Sequence, residues 1–307
     1  MQPYRYGILQ PHRAAGAAEH NAAWLGPNTL GIEVTEPELA ALCGLGNIDP
    51  QHLGGNHTAS AIETAVSWPV PPRGAALVTV RLDADAVGAM AVLSLRANSV
   101  ALSAETKARI ALVGRSDRFD FGPWPGVRSL PAGIDDIDEV GAGPQNLGAV
   151  IGGLASPGAS IDDAVRHVTR WLLTGEAPRE WVARAEQAAK NLLAALEDGE
   201  VAVRDAVPGR IATVDGFAPG AARLGYRRAP VVVAVANLQD RIGAVALRKI
   251  TIAQYRTGYV DLPETARCLS ESEPGWGGSA TIIGSPQGIS CRTPVERCID
   301  VLLNCRV

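Results

Sequence analysis

LVTVRLDADAVGAMAVLSLRA, residues 77–97, carries an apolar run that breaks at Asp83-Ala84-Asp85 and resumes at once as a small-residue helical pattern containing Gly88. The run from Ala75 to Val80 is short and rich in β-branched residues, as expected of a strand covered on both faces. Ala86, Val87, Met90, Ala91, Leu93 and Leu95 then give a crowded apolar pattern whose small side chains let a helix pack closely on a sheet. The segment therefore reads as strand, tight turn and helix, the unit of a parallel α/β sheet. Ligands in such sheets collect outside the carboxyl ends of the strands, where Asp83 and Asp85 fall, and carboxylates there hold Mg²⁺ or Mn²⁺. One Asp at such a turn is also the ordinary helix N-cap. Two at i and i+2 in an apolar segment move the reading toward a metal site.

A second acidic turn follows. Arg109 to Val113 reads as another short strand, and Asp117 and Asp120 come after it in GRSDRFDFGPWPG, flanked by Arg115 and Arg118. If the two strands are neighbours, Asp117 faces the same cavity as Asp83 and Asp85, and Arg115 or Arg81 meets phosphate or carboxylate oxygens. A solvated loop with local Asp to Arg pairing is the other reading. Imidazoles are concentrated upstream, where His12, His20, His52 and His57 are four of the five histidines of the chain. His52 and His57 lie in the Gly-rich stretch GNIDPQHLGGNHTAS, which permits close backbone approach to a ligand.

Composition sets the bounds on this reading. At 307 residues the chain exceeds the usual single core, and two domains are expected. The net charge of -4 and only three lysines, Lys107, Lys190 and Lys249, argue against a protein that grips long nucleic acid. No apolar stretch is long enough for a membrane span and the first residues lack the pattern of a signal peptide, so a cytoplasmic protein is expected. The cysteines, Cys43, Cys268, Cys291, Cys298 and Cys305, are odd in number and form no CxxC pair, which indicates neither a disulfide framework nor a zinc ribbon.

Glu36 to Leu45 reads as a helix capped by Thr35, and two helices follow Ser160 and Pro178. Beyond Gly199 the texture changes to strands at Val201–Val207, Arg210–Val214, Val231–Ala236, Lys249–Tyr255 and Ala280–Ile283, with a last helix over Pro294–Leu303. The expected organisation is a parallel-sheet α/β domain with an N-terminal extension over 1–160, a helical connector over 161–199 and a smaller mixed-sheet α/β domain over 200–307, with a cleft between the domains. In the last of these, GWGGSATIIGSPQGIS (275–290) combines glycines that let backbone amides approach an anion with a short β-rich run.

These residues resemble the DHH phosphoesterase superfamily with its associated C-terminal domain. The match rests on LVTVRLDADAVGAMAVL, an apolar strand ending in Asp-x-Asp before a glycine and small residues. It rests also on the order strand, strand, helix and glycine-rich turn from Ala229 to Gly288. The chain would be a divergent member, because it contains no Asp-His-His triplet and Thr79 stands where the first motif carries its histidine. The resemblance implies a two-domain hydrolase of phosphoesters or phosphoanhydrides using Mn²⁺ or Mg²⁺. Asp83, Asp85 and Asp117 would then be metal ligands and catalytic residues, joined by His57 in both roles and by His52 and His20 as ligands. Gly277, Gly278, Ser279, Gly284, Ser285, Gln287 and Gly288 would contact substrate, with Arg81 and Arg115 neutralising its charge. The expected partner is a small, phosphorylated or nucleotide-like substrate, with a homodimer left open. Two other readings are a ligand-binding protein without turnover on the same scaffold and a hydrolase of a non-phosphate bond in a small metabolite.

Overall fold

The computed structural model describes residues 3–10, 14–50, 59–118, 147–155, 160–216, 220–239, 245–286 and 289–305. The chain divides into two compact units, the first within Met1–Arg118 and Pro144–Ala185, the second within Phe119–Gly143 and Glu186–Val307. Both are α/β. Among the described residues no helix is long and apolar enough to cross a membrane.

The first unit is built on strands β1 (Arg5–Ile8), β2 (Thr29–Ile32), β3 (Asn47–Ile48) and β4 (Ala76–Thr79), in the order β1-β4-β2-β3. Every neighbouring pair is parallel. β2 and β4 are buried along their whole length, which explains why the ALVT of β4 shows no alternation of polar and apolar residues. Helices α1 (Ala17–Ala22), α2 (Pro37–Ala40) and α3 (Ala61–Ala65) connect the strands, and α4 (Ala84–Ala97) leaves the end of β4. α5 (Ala104–Asp117), α6 (Leu147–Leu154) and α7 (Ile161–Thr174) complete the unit. The small residues of α4 serve close packing: a Cβ at Gly88 would lie 2.5 Å from Cδ1 of Ile62 on α3. Tyr6 of β1 and Ser94 of α4 share a buried hydrogen bond of 2.7 Å. α7, placed by the sequence in the connector, packs on α4, and the division between the units falls inside α8 (Arg179–Glu197).

Two local expectations are corrected. Residues 109–113 form no strand; they lie in the middle of α5. Ser103 caps this helix by accepting the Thr106 amide at 3.2 Å, and the buried residues Thr106, Arg109, Ile110, Val113 and Gly114 recur at helical spacing. Within so short an apolar run the helical and extended patterns look alike, and the buried Arg109, whose Nη1 donates to the Leu172 carbonyl at 2.9 Å, fixes α5 against α7. The helix expected over 36–45 is only one turn, capped at Glu36, because Leu42 and Cys43 donate three residues back to Leu39 and Ala40.

The second unit carries β5 (Val201–Val207), β6 (Ile211–Gly216), β7 (Val231–Gln239), β8 (Val245–Gln254), β9 (Gly277–Gly278) and β10 (Ile282–Gly284) in the order β5-β6-β7-β8-β10-β9. The sheet is mixed: β6 and β7 run parallel, and the other pairs are antiparallel. Alternation along β7 sorts its side chains. Val231, Val233 and Val235 pack with Leu262, Leu269, Val301 and Leu302 of α9 (Leu262–Ser270) and α10 (Val295–Asn304). Val232 packs on the other face with Leu192, Tyr226 and Tyr255.

Candidate metal centre

The two aspartates of the opening turn do different work. Asp83 is the N-cap of α4, accepting the Ala86 amide at 2.9 Å, and its other oxygen pairs with the exposed Arg81 at 2.6 Å. Asp85, two residues on, is 1% exposed. Its carboxylate accepts the amide of Ala61 at 2.6 Å and that of Ile62 at 2.9 Å, which joins the first turn of α4 to the first turn of α3. Burial pushes its carboxyl up to about 8, the Asp117 charge adds to the rise, and the two amides oppose it.

Glu33 completes the arrangement from the neighbouring strand. It follows β2 in the left-handed region, with φ of 50°, a conformation that costs a non-glycine residue free energy and that clusters at functional sites. Its side chain is 1% exposed, and neither carboxylate oxygen has a hydrogen-bond partner among the described residues. Burial, then the charges of Asp83, Asp85 and Asp117, push its carboxyl up to about 10 against the opposing pull of Arg81. Asp117 arrives as the last residue of α5. One carboxylate oxygen from each of Glu33, Asp85 and Asp117 lies within 4.8 Å of the others.

Three carboxyl groups so close, two of them out of water, are stable only if protons or a cation cancel their charge. An all-oxygen donor set suits a hard divalent ion such as Mg²⁺, Mn²⁺ or Ca²⁺ better than one preferring imidazole or thiolate. The orphaned oxygens of Glu33 and the mutual approach of the three carboxylates fit such an ion.

No protein-family model matches the chain, and no curated protein matches it.

The residues expected from sequence are thus divided. Asp85 and Asp117 converge, and Glu33, which the sequence reading missed, joins them. The signal available for Glu33 was a single acid directly after the short run TLGI. Asp83 stands beside the group but is engaged by its cap and by Arg81. His20 lies on α1 with Nε2 hydrogen-bonded to the Ile8 carbonyl at 2.8 Å, so that nitrogen carries the proton and cannot ligate. His52 and His57 lie outside the described residues, as do Gln287 and Gly288. Arg115 is half-buried on α5. Gly277, Gly278 and Gly284 form the β9–β10 hairpin of the second unit, and Ser279 donates its amide to Ile282. Ser285 exchanges hydrogen bonds with Ile250, its hydroxyl accepting at 3.1 Å and its amide donating at 2.9 Å.

Proposed function

We propose that Glu33, Asp85 and Asp117 hold Mn²⁺ or Mg²⁺ and that the chain is a metal-dependent, phosphoesterase-like hydrolase of a small anionic substrate. The observation that carries the reading is the buried Glu33 carboxylate, which has no hydrogen-bond partner among the described residues and approaches two further carboxylates beyond the ends of parallel strands. The resemblance of the Asp83-Ala84-Asp85 turn to the first motif of DHH phosphoesterases supplies the reaction class.

The ion, when bound, lowers the pKa of a water and polarises the substrate. The chain's own residues prepare its place. The amides of Ala61 and Ile62 hold both Asp85 oxygens, which fixes the direction of the carboxylate. The Asp83 cap fixes the first turn of α4, from which Asp85 projects. Arg81, more than half exposed and paired with Asp83, offers a guanidinium at the edge of the acidic group where an anionic substrate needs a counter-charge. Phosphate release from small phosphoesters with and without Mn²⁺, in wild type and Asp85→Ala, tests the proposal. Turnover that requires Mn²⁺ and is lost in the variant supports it; equal turnover in both overturns it.

A second reading is a ligand-binding protein without turnover: His20, the described member of the N-terminal histidine group, has its Nε2 engaged by the Ile8 carbonyl and is not part of the carboxylate group. Mn²⁺ that raises the thermal midpoint while no substrate is turned over would select this reading.

A further inference from the structure

We infer that the Glu63–Arg118 ion pair is a positioning clamp that sets the reach of Asp117 into the carboxylate group. The inference rests on the metal-site reading above. Asp117 occupies an unfavourable place: it is the last residue of α5, where the carbonyl end of the helix repels a carboxylate. Helix ends also fray, and a ligand on the final turn needs a tether. The next residue supplies one. Arg118 donates through Nη1 to Oε2 of Glu63 and through Nη2 to Oε1 at 3.4 Å, a two-pronged contact between half-buried side chains.

Glu63 is itself anchored. Its Oε2 accepts the Ser60 amide at 3.1 Å and the Ser60 hydroxyl at 3.2 Å, closing the capping box at the start of α3. The same turn of α3 gives its Ala61 and Ile62 amides to Asp85. Asp85 and Asp117, which come from different helices, are therefore referred to one short turn, the first directly and the second through Arg118 and Glu63. Gly114 makes room for this: a Cβ there would stand 2.6 Å from Oε2 of Glu63, so any larger residue displaces the carboxylate from its place against α5.

The test is calorimetric titration of the full chain with Mn²⁺ alone, in wild type, Arg118→Gln, Gly114→Ala, Asp117→Asn and the double variant Asp117→Asn/Arg118→Gln, with thermal midpoints taken in chelator. Outer-sphere partners typically hold metal affinity up by about 10–100-fold, and Arg118→Gln is expected to lose that much. Gly114→Ala is expected to lose affinity in the same direction and to lower the metal-free midpoint, since the displaced Glu63 carboxylate also leaves its capping box. Because the clamp acts through Asp117, Arg118→Gln should cost nothing further in the Asp117→Asn background. Wild-type affinity in both Arg118→Gln and Gly114→Ala overturns the clamp and leaves the site intact. A wild-type chain that binds no Mn²⁺ overturns the site and the clamp with it.

Discussion

Glu33 and Asp85 present carboxylate oxygens within 4.8 Å of each other from beyond the ends of two adjacent parallel strands, β2 and β4, although 52 residues separate them in sequence. Both are buried, and only Asp85 has hydrogen-bond donors facing it among the described residues. That asymmetry generates distinct expectations for the two residues.

Asp85 has a structural role besides the metal-binding one proposed for it. Asp85→Ala strands the buried Ala61 and Ile62 amides, and an unmade buried hydrogen bond costs about 1–3 kcal/mol. Chemical denaturation in chelator should show a loss of that order in Asp85→Ala. A variant as stable as wild type would mean that α3 does not depend on this carboxylate.

Asp83 should behave differently. Its side chain caps α4, and loss of an N-cap costs about 0.5–2 kcal/mol, whereas Ser preserves the cap. The expected pattern is that Asp83→Ala destabilises, Asp83→Ser does not, and Mn²⁺ affinity stays closer to wild type in Asp83→Ser than in Asp85→Asn. Affinity lost equally in Asp83→Ser and Asp85→Asn would place Asp83 among the ligands.

The pH dependence of the metal-free protein follows from the raised carboxyl groups. Glu33 rises from 4.5 to about 10 and Asp85 from 3.8 to about 8, so the folded state binds more protons than the unfolded one between these limits. Their contribution to stability is fully present below about pH 4 and is lost as pH rises toward 8–10. Thermal midpoints in chelator should fall across that window, and saturating Mn²⁺ should offset the fall because it takes the place of the protons. A flat profile in chelator would contradict the burial of these charges.

The second unit has the opposite dependence. Burial works to raise the Glu273 carboxyl, but the Thr293 hydroxyl at 2.6 Å and the amides of Arg292 and Thr293 at 2.8 and 3.0 Å outweigh it and hold it down at about 2, from 4.5. The stability it lends is present above pH 4.5 and is lost as pH falls toward 2. Acid unfolding followed by circular dichroism should show a steep acid limb in wild type and a shallower one in Glu273→Gln. Identical limbs would remove Glu273 from the account.

The sheet and helix that carry the candidate site were legible because Leu77–Ala97 combines a continuous apolar strand with an unmistakable break at Asp83. Asp117 was found for the wrong reason: the apolar residues 110–113 suit either a strand or one face of a helix, and only the partners on α3 and α7 decide between them. Glu33 was passed over because a single acid after the short run TLGI carries little local signal, and its burial becomes visible only when β2 and β4 are adjacent. Asp83, the most conspicuous acid in the sequence, is chiefly a helix cap. Neighbouring carboxylates at i and i+2 point in different directions at a helix start, and only the second points inward to α3.

The role of Glu33 as a metal ligand is tested by Mn²⁺ titration of wild type and Glu33→Gln, with thermal midpoints taken in chelator at pH 8. Saturable binding is expected in wild type and strongly weakened binding in Glu33→Gln, with a higher metal-free midpoint in the variant, because the amide is neutral without the proton that buried Glu33, pushed up to about 10, must take up at pH 8. Equal Mn²⁺ affinity in the two proteins would contradict it.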